Sequence, residues 1–374
     1  MDTRILNVVG SEGYEHAIGE AADVLNAGGL VVFPTETVYG VGARADRSEA
    51  LERLDRLKER PDDKPFTVHI GRRGDYQRFV PSISAVGRRF VKKAWPGPLT
   101  LVLSVDDPRR APLAGELDAA GLAAIYHKGT VGLRCPDDRA AADLLVRSGG
   151  PVVAASANLA GKAPPRTVEE ALADLDGRVE VALAGGPARF ARPSTILRVN
   201  GDGYELLRDG VYDARMLAGF ATLTILFVCT GNTCRSPMAL GIARRLIAER
   251  LGCAEGELED RRVEILSAGA SAADGAPPAD HAVAVLAERG MDISDHRSSR
   301  LTVERIQRAD HIYAMTESHR LAVVEMVGSA ADRTYRLLDD EDIPDPIGGD
   351  RAAYAEAAAT IERALRSRLE EIEL

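Results

Sequence analysis

Cysteine, tryptophan and long apolar runs are the scarce features of this sequence, and each scarcity removes a class of protein. Four cysteines in 374 residues, without a repeating spacing, build neither a disulfide framework nor a four-cysteine zinc cluster. A reducing cytoplasm is the expected compartment. No window reaches the roughly 18 consecutive apolar residues that a spanning helix needs, so no membrane partner is expected. The opening stretch MDTRILNVVGSEGYEHAIGE is acidic early and lacks an apolar core with a small-residue cleavage site, which speaks against a signal peptide. Internal repeats and low-complexity tracts are also missing. The formal net charge of -10 gives the whole molecule no attraction for nucleic acid and leaves room only for a local basic cleft.

What is there fits a two-domain globular chain. The length exceeds what one core usually holds, and 45% hydrophobic with 28% charged residues is ordinary for folded protein. Residues 14 to 27 place Ala21, Val24 and Leu25 at helical spacing; Gly28 and Gly29 then end the segment before the apolar run LVVFP. Further strands are expected in PFTVHI at 65 to 70, LTLVLSV at 99 to 105, TVGLRC at 130 to 135 and PVVAAS at 151 to 156, with helices between several of them. This mixture predicts an α/β unit on a twisted sheet.

A second unit begins at TLTILFVC, 222 to 229, which runs through a glycine-containing loop into SPMALGIARRLIAERL. Ser236 suits an N-cap and Pro237 a first helical position, with Met238, Ile242, Leu246 and Ile247 on one face. Tyr354, Ile361, Leu365, Leu369 and Ile372 mark a closing helix. The joint DGVYDARMLAGFAT has no long Gly/Ser or Pro-rich tract, so the boundary is placed near 212 to 222, giving domains 1-212 and 223-374.

The string from Cys229 to Ser236 reads C-x5-R-S between a strand and a helix. That spacing wraps backbone N-H groups and the helix N-terminus around a phosphate, while Arg235 grips two phosphoryl oxygens with its planar fork. The same positive field favours a thiolate at Cys229, a nucleophile. Ser236 can donate to that thiolate, and Asn232 can stabilise the tight loop. Asp345, in DIPDPIGGD, is the carboxylate chosen as general acid.

VCTGNTCRSPMA, the SAG at 267 to 269 and the Asp345-Pro346 pair together resemble the low-molecular-weight protein tyrosine phosphatase family over about 150 residues. The resemblance implies a central parallel sheet, catalytic roles for Cys229, Arg235 and Asp345, and no metal or other cofactor in this half. It also implies a reversible disulfide between Cys229 and Cys234, with a structural thiol as the alternative. Cys135 and Cys253 read as inert. Thr233 stands where many family members carry Ile. With AMTESHR at 314 to 320 and DPIGGDRAAY at 345 to 354, it looks like the bacterial protein-arginine phosphatases. Phosphoarginine on protein is therefore the expected substrate, and phosphotyrosine the alternative.

In the first half, FPTETVYGVGA at 33 to 43, KERPDDKPFTVHI at 58 to 70, TVGLRCP at 130 to 136, SANLAGKAP at 156 to 164, STIL at 194 to 197 and LRDG at 207 to 210 occur in one order. Together they resemble YrdC-like L-threonylcarbamoyladenylate synthases over about 200 residues. That chemistry joins ATP, L-threonine and bicarbonate, so cations and N-H donors must gather several anions. The resemblance implies that Thr35, His69, Arg134 and Ser194 hold threonine. It implies nucleotide contacts for Lys58, Arg60, Thr130, Ser156, Asn158 and Arg208, Mg²⁺ accompanying ATP, and delivery of the adenylate to a separate tRNA threonylcarbamoyl transferase. The family often has Asn where this chain has Lys64. A competing reading makes this half an RNA-binding module with a weak contact to tRNA. A carbamoyltransferase-like alternative lacks the cysteine pairs of its zinc segments.

Overall fold

The computed structural model describes residues 2–58 and 65–374. It divides into two compact units, Met1–Phe220 and Ala221–Leu374. The first unit thus includes residues 213 to 220, within the stretch from 212 to 222 where the joint is placed. Tyr212 is tied into it, its N-H donating to Thr195 Oγ1 at 2.9 Å and its ring meeting Phe220 edge-on at 5.0 Å. The helix Ala214–Ala221 follows, with Asp213 accepting from Met216 N at 2.8 Å and Leu217 buried.

In the first unit the strands are β1 (Arg4–Asn7), β2 (Val31–Phe33), β3 (Gly40–Arg44), β4 (Thr67–His69), β5 (Leu99–Ser104), β6 (Tyr126–His127), β7 (Thr130–Arg134), β8 (Val152–Ser156), β9 (Val181–Ala184), β10 (Thr195–Asn200) and β11 (Gly203–Arg208). They form a mixed sheet in the order β1-β9-β2-β3-β8-β4-β7-β5-β10-β11, with β6 paired to β7. The run LVVFP and the four further predicted segments all lie in it, as β2, β4, β5, β7 and β8. The helix Tyr14–Asn26 buries Tyr14, Ala17, Ile18, Ala21, Ala22 and Leu25, a stripe at three- and four-residue steps. Beside the helix Arg139–Arg147 it covers Val31, Phe33, Val152, Val181 and Leu183.

The second unit holds β12 (Leu223–Cys229), β13 (Val263–Gly269), β14 (His311–Ala314) and β15 (Thr334–Arg336), ordered β13-β12-β14-β15 and parallel throughout. Every residue of β12 is buried, as a central parallel strand covered on both faces requires. Ile225, Phe227 and Cys229 turn to one side, where Met238, Ile242, Ile361 and Leu365 of the helices Arg235–Leu251 and Arg351–Glu370 pack. Leu226 and Val228 turn to the other, against Ile306, Ile312 and Val323. The strand order reverses between β12 and β14, so the carboxyl end of β12 opens at the switch point where such sheets take their ligands.

One local expectation is corrected. The helix starts at Arg235, and Cys234 occupies the cap position without a side-chain cap bond. Ser236 lies inside the first turn, and its hydroxyl is drawn away by stronger partners in the loop.

Candidate active sites

The loop after β12 places the nucleophile candidate in a hydrogen-bonded cradle. Asn232 sits in the left-handed region, φ 55°, which turns its N-H towards Cys229 Sγ at 3.2 Å. Asn232 Oδ1 accepts from Ser299 N at 2.8 Å, so Nδ2 faces Ser236 Oγ at 2.8 Å and Ser267 Oγ at 2.9 Å. Because Ser236 Oγ accepts from Asn232, its own proton is left for Cys229 Sγ, 2.9 Å away. His296 Nε2 donates to the Asn232 carbonyl at 2.9 Å; burial lowers its pKa, aided by Arg297 and Arg244. Gly269 completes the cradle, since a side chain there would run into the Thr230 carbonyl oxygen and stand 3.0 Å from Asn232 N.

Arg235 is buried beside this loop. Its guanidinium donates to Ile343 O at 3.2 Å and Thr230 Oγ1 at 3.4 Å, and pairs with Asp345, whose side chain is 39% exposed. The chain thus brings Cys229, Asn232, Arg235, Ser236 and Asp345 together, as expected. Thr233 is half-buried on the loop, its carbonyl accepting from Ala279 N at 2.9 Å. Cys234 Sγ lies 3.4 Å from Tyr354 Oη and 3.6 Å from Thr233 Oγ1. Burial and the neighbouring Cys234 hold the Tyr354 phenol well above its usual pKa. A nucleophilic sulfur, a hydroxyl donor, a guanidinium fork and a carboxylate at the mouth are the parts of a phosphoryl-transfer centre.

The first unit gathers a second cationic cluster from distant segments. Register sets His69, Arg134 and Thr100 in one row across β4, β7 and β5. Arg134 donates to Thr37 Oγ1 at 2.6 Å and Thr35 Oγ1 at 3.3 Å, and lies 3.0 Å from Glu36 Oε1. Its Nε is buried without a hydrogen-bond partner. An orphaned buried donor of this kind suits an anionic ligand. Ser194 Oγ meets Thr100 Oγ1 at 2.9 Å, and Arg208 donates to Ser194 O at 2.7 Å and Oγ at 3.0 Å. Burial, then the charge of Arg134, lowers the Arg208 pKa. Burial, then Arg134, also drives His69 down to about 3; the ring is neutral, and its Nδ1 donates to Thr67 O at 3.2 Å. Gly42 lets the Phe33 ring lie close, since a side chain there would stand 3.0 Å from it, and that ring meets His69 edge-on at 6.0 Å.

Thr35 and Arg134 are thus joined by a hydrogen bond, as are Ser194 and Arg208, while His69 neighbours Arg134 across paired strands and both His69 and Arg208 feel the Arg134 charge. Lys58, Ser156 and Asn158 form a second group, with Lys58 Nζ donating to Ser156 O at 2.8 Å and to Asn158 O. Thr130 joins neither group. It lies at the opposite end of β7 from Arg134, about 13 Å of strand away, and its hydroxyl donates to His127 O at 2.8 Å. Arg60 and Lys64 lie outside the described residues. Sequence reasoning passed over Glu36, Thr37 and Thr100 here, and Thr230, Ser267, His296 and His319 in the other site. Glu36 and Thr37 sit inside FPTETVYGVGA, and His319 inside AMTESHR, so a polar residue within a quoted motif was the available signal.

Comparison with known proteins follows the same division. The Sua5/YciO/YrdC family model, described as telomere recombination, matches residues 23–210, and that of low molecular weight phosphotyrosine protein phosphatases matches 224–373. Threonylcarbamoyl-AMP synthase of Bacillus subtilis is 37% identical over 193 residues, which cover 52% of this chain and 53% of the relative. The chain thus spans about half the length of that curated relative. A protein-arginine-phosphatase of Geobacillus stearothermophilus is 41% identical over 146 residues, 37% of this chain and 88% of the relative. A solved structure of Pyrococcus abyssi Sua5 matches with a TM-score of 0.50 at 24% identity, covering 91% of this chain and 99% of the other, a likeness of fold.

Proposed function

We propose that both halves of the chain, which belongs to the Sua5/YciO/YrdC family over residues 23–210 and to the low-molecular-weight phosphotyrosine protein phosphatase family over residues 224–373, are working enzymes of one cytoplasmic protein. The first makes threonylcarbamoyl-AMP from ATP, threonine and bicarbonate; the second removes phosphate from protein phosphoarginine. The observation that carries the reading is the loop of β12, where Ser236 and Asn232 N-H point at Cys229 while Arg235 and Asp345 stand at the mouth.

In the phosphatase half, an incoming phosphoryl group takes over the Arg235 guanidinium, which leaves the Asp345 carboxyl beside the leaving group. Cys229 Sγ forms the bond to phosphorus as the bond to the guanidine nitrogen breaks, and Asp345 supplies a proton to that nitrogen. Water then cleaves the phosphocysteine, releasing inorganic phosphate and the Cys229 thiolate. Ser236 stabilises that thiolate through its hydroxyl. Thr233 supports phosphoarginine over phosphotyrosine, since a short polar side chain leaves space for a planar guanidinium.

In the synthase half, the threonine amine bonds to the carbon of bicarbonate with loss of water. The resulting carbamate attacks the α-phosphorus, and pyrophosphate leaves. Catalysis is alignment and charge neutralisation. Arg134 Nε suits the threonine carboxylate, Arg208 adds positive charge, and Lys58 braces the Ser156–Asn158 turn for the nucleotide. Mg²⁺ arrives with the ATP phosphates as part of the substrate; among the described residues no group of three His, Cys, Asp or Glu is placed to hold a metal. The adenylate is then handed to a separate transferase that modifies tRNA.

The test is direct. Pyrophosphate release must require ATP, threonine and bicarbonate together, and a phosphoarginine peptide must be hydrolysed with higher kcat/KM than its phosphotyrosine counterpart. ATP cleavage without threonine, or tRNA binding with no adenylate formed, contradicts the first half of the reading; a preference for phosphotyrosine contradicts the second.

A further inference from the structure

One polar connection of the phosphatase centre has no role in the steps above. Thr230 follows the nucleophile directly, and its hydroxyl oxygen lies 3.4 Å from the Arg235 guanidinium, which donates to it, and 2.9 Å from His319 Nε2. The other ring nitrogen of His319 lies 2.8 Å from Thr316 Oγ1. Thr316 caps the helix Glu317–Met326, accepting from His319 N at 3.3 Å, and its hydroxyl meets Ser318 Oγ at 2.8 Å. His319 is buried, and burial with the charge of Arg235, against Asp345 and Asp342, brings its pKa down to about 4. A neutral imidazole has one N-H and one lone pair, so it serves both threonines at once. A proton added to it would put like charge beside Arg235.

Arg235 has three anchors: Ile343 O, Asp345 and Thr230. Asp345 must release it when a phosphoryl group arrives, which leaves two. The Thr230 side chain stands on an exposed residue of the loop, and its hydroxyl is a free rotor unless something fixes it. Asn232, held by Ser267, His296 and Ser299, fixes the other flank of the loop and does not touch Thr230 Oγ1. We propose that His319 is a positioning residue for phosphate binding, acting through the Thr230 hydroxyl to hold the Arg235 guanidinium in place. The proposal rests on the phosphatase reading.

The experiment is a double-mutant cycle in the full chain, with p-nitrophenyl phosphate as substrate and inorganic phosphate as competitive inhibitor. Loss of a hydrogen bond to a charged group predicts that Thr230→Val and His319→Leu each lower kcat/KM and weaken phosphate inhibition by about tenfold. The double variant is expected to be no worse than the more affected single one, because both remove the same link. His319→Gln, which keeps a donor and an acceptor, recovers most of the loss. Multiplying effects, or phosphate inhibition within twofold of wild type in Thr230→Val, overturn the proposal. If His319→Leu fails to fold, the cycle is run with Thr230→Val and His319→Phe, which keeps a ring of similar size but likewise removes the donor and acceptor, and the same criteria decide. A wild type that hydrolyses neither p-nitrophenyl phosphate nor a phosphoarginine peptide defeats the phosphatase reading itself, which is a different outcome from multiplying effects in an active enzyme.

Discussion

At the scale of single residues, the two sites depend on side chains whose protonation and shape are imposed by neighbours. Cys229→Ser is expected to abolish phosphatase turnover, because an alkoxide is far harder to form than a thiolate, while inorganic phosphate still binds; measurable turnover removes Cys229 as nucleophile. Thr233→Ile keeps a β-branched side chain, so the loop folds, but adds an apolar arm beside the phosphoryl group. The ratio of kcat/KM for phosphoarginine over phosphotyrosine should fall by roughly 10- to 200-fold, the scale of a pocket contact. It is read at neutral pH or above, where phosphoarginine survives, and an unchanged ratio counts against Thr233 as the selector. His69 and His319 add a pH dependence with a definite sign. Each takes a proton near 6.5 when unfolded but only near 3 and 4 when folded. Between those values the unfolded chain binds more protons, so stability falls as pH drops from 6.5 towards 4. Thermal melts of His69→Gln and His319→Gln across that range should show shallower loss than wild type in the unit concerned.

At the scale of elements, legibility followed the length and chemistry of the signal. β12 was evident because seven consecutive buried residues form an apolar run that stops at the nucleophile. The helices at 14–26 and 235–251 showed through their stripes. The Ser236 capping assignment failed because a local rule, that serine before a helical run is an N-cap, lost to the Cys229 thiol and Asn232 amide reaching the same hydroxyl. Contacts between distant segments were hidden for another reason. Thr100 meets Ser194 across 94 residues and Glu36 meets Arg134 across 98, and neither spacing leaves a trace in either segment. Thr130 shows the converse, since one motif holds both Thr130 and Arg134 while the strand sets them at opposite ends of β7. The cradle around Cys229 yields an element-level prediction. Gly269→Ala forces β13 away from the loop, and should cost roughly 1–3 kcal/mol of stability in the second unit. It should also weaken phosphate binding, which a chemical melt and a phosphate inhibition series would show; a variant unaltered in both would mean the close approach is not required.

At the scale of the whole molecule, each site is drawn from one compact unit: residues 35 to 208 supply the first, and residues 229 to 354 the second. No helix among the described residues is long and apolar enough to cross a membrane. The side chains described for each site all belong to its own unit, so the two chemistries are expected to be separable by single substitutions. The most direct measurement is a crossed assay on the full-length chain, following threonine- and bicarbonate-dependent pyrophosphate release and phosphoarginine hydrolysis in the same preparations of wild type, Arg134→Lys and Cys229→Ser. Arg134→Lys keeps the charge but loses the fork, so pyrophosphate release should collapse while hydrolysis stays near the wild-type rate. Cys229→Ser should do the reverse. Loss of both activities in either variant, or survival of pyrophosphate release in Arg134→Lys together with hydrolysis in Cys229→Ser, would contradict the proposal of two separable activities in one chain.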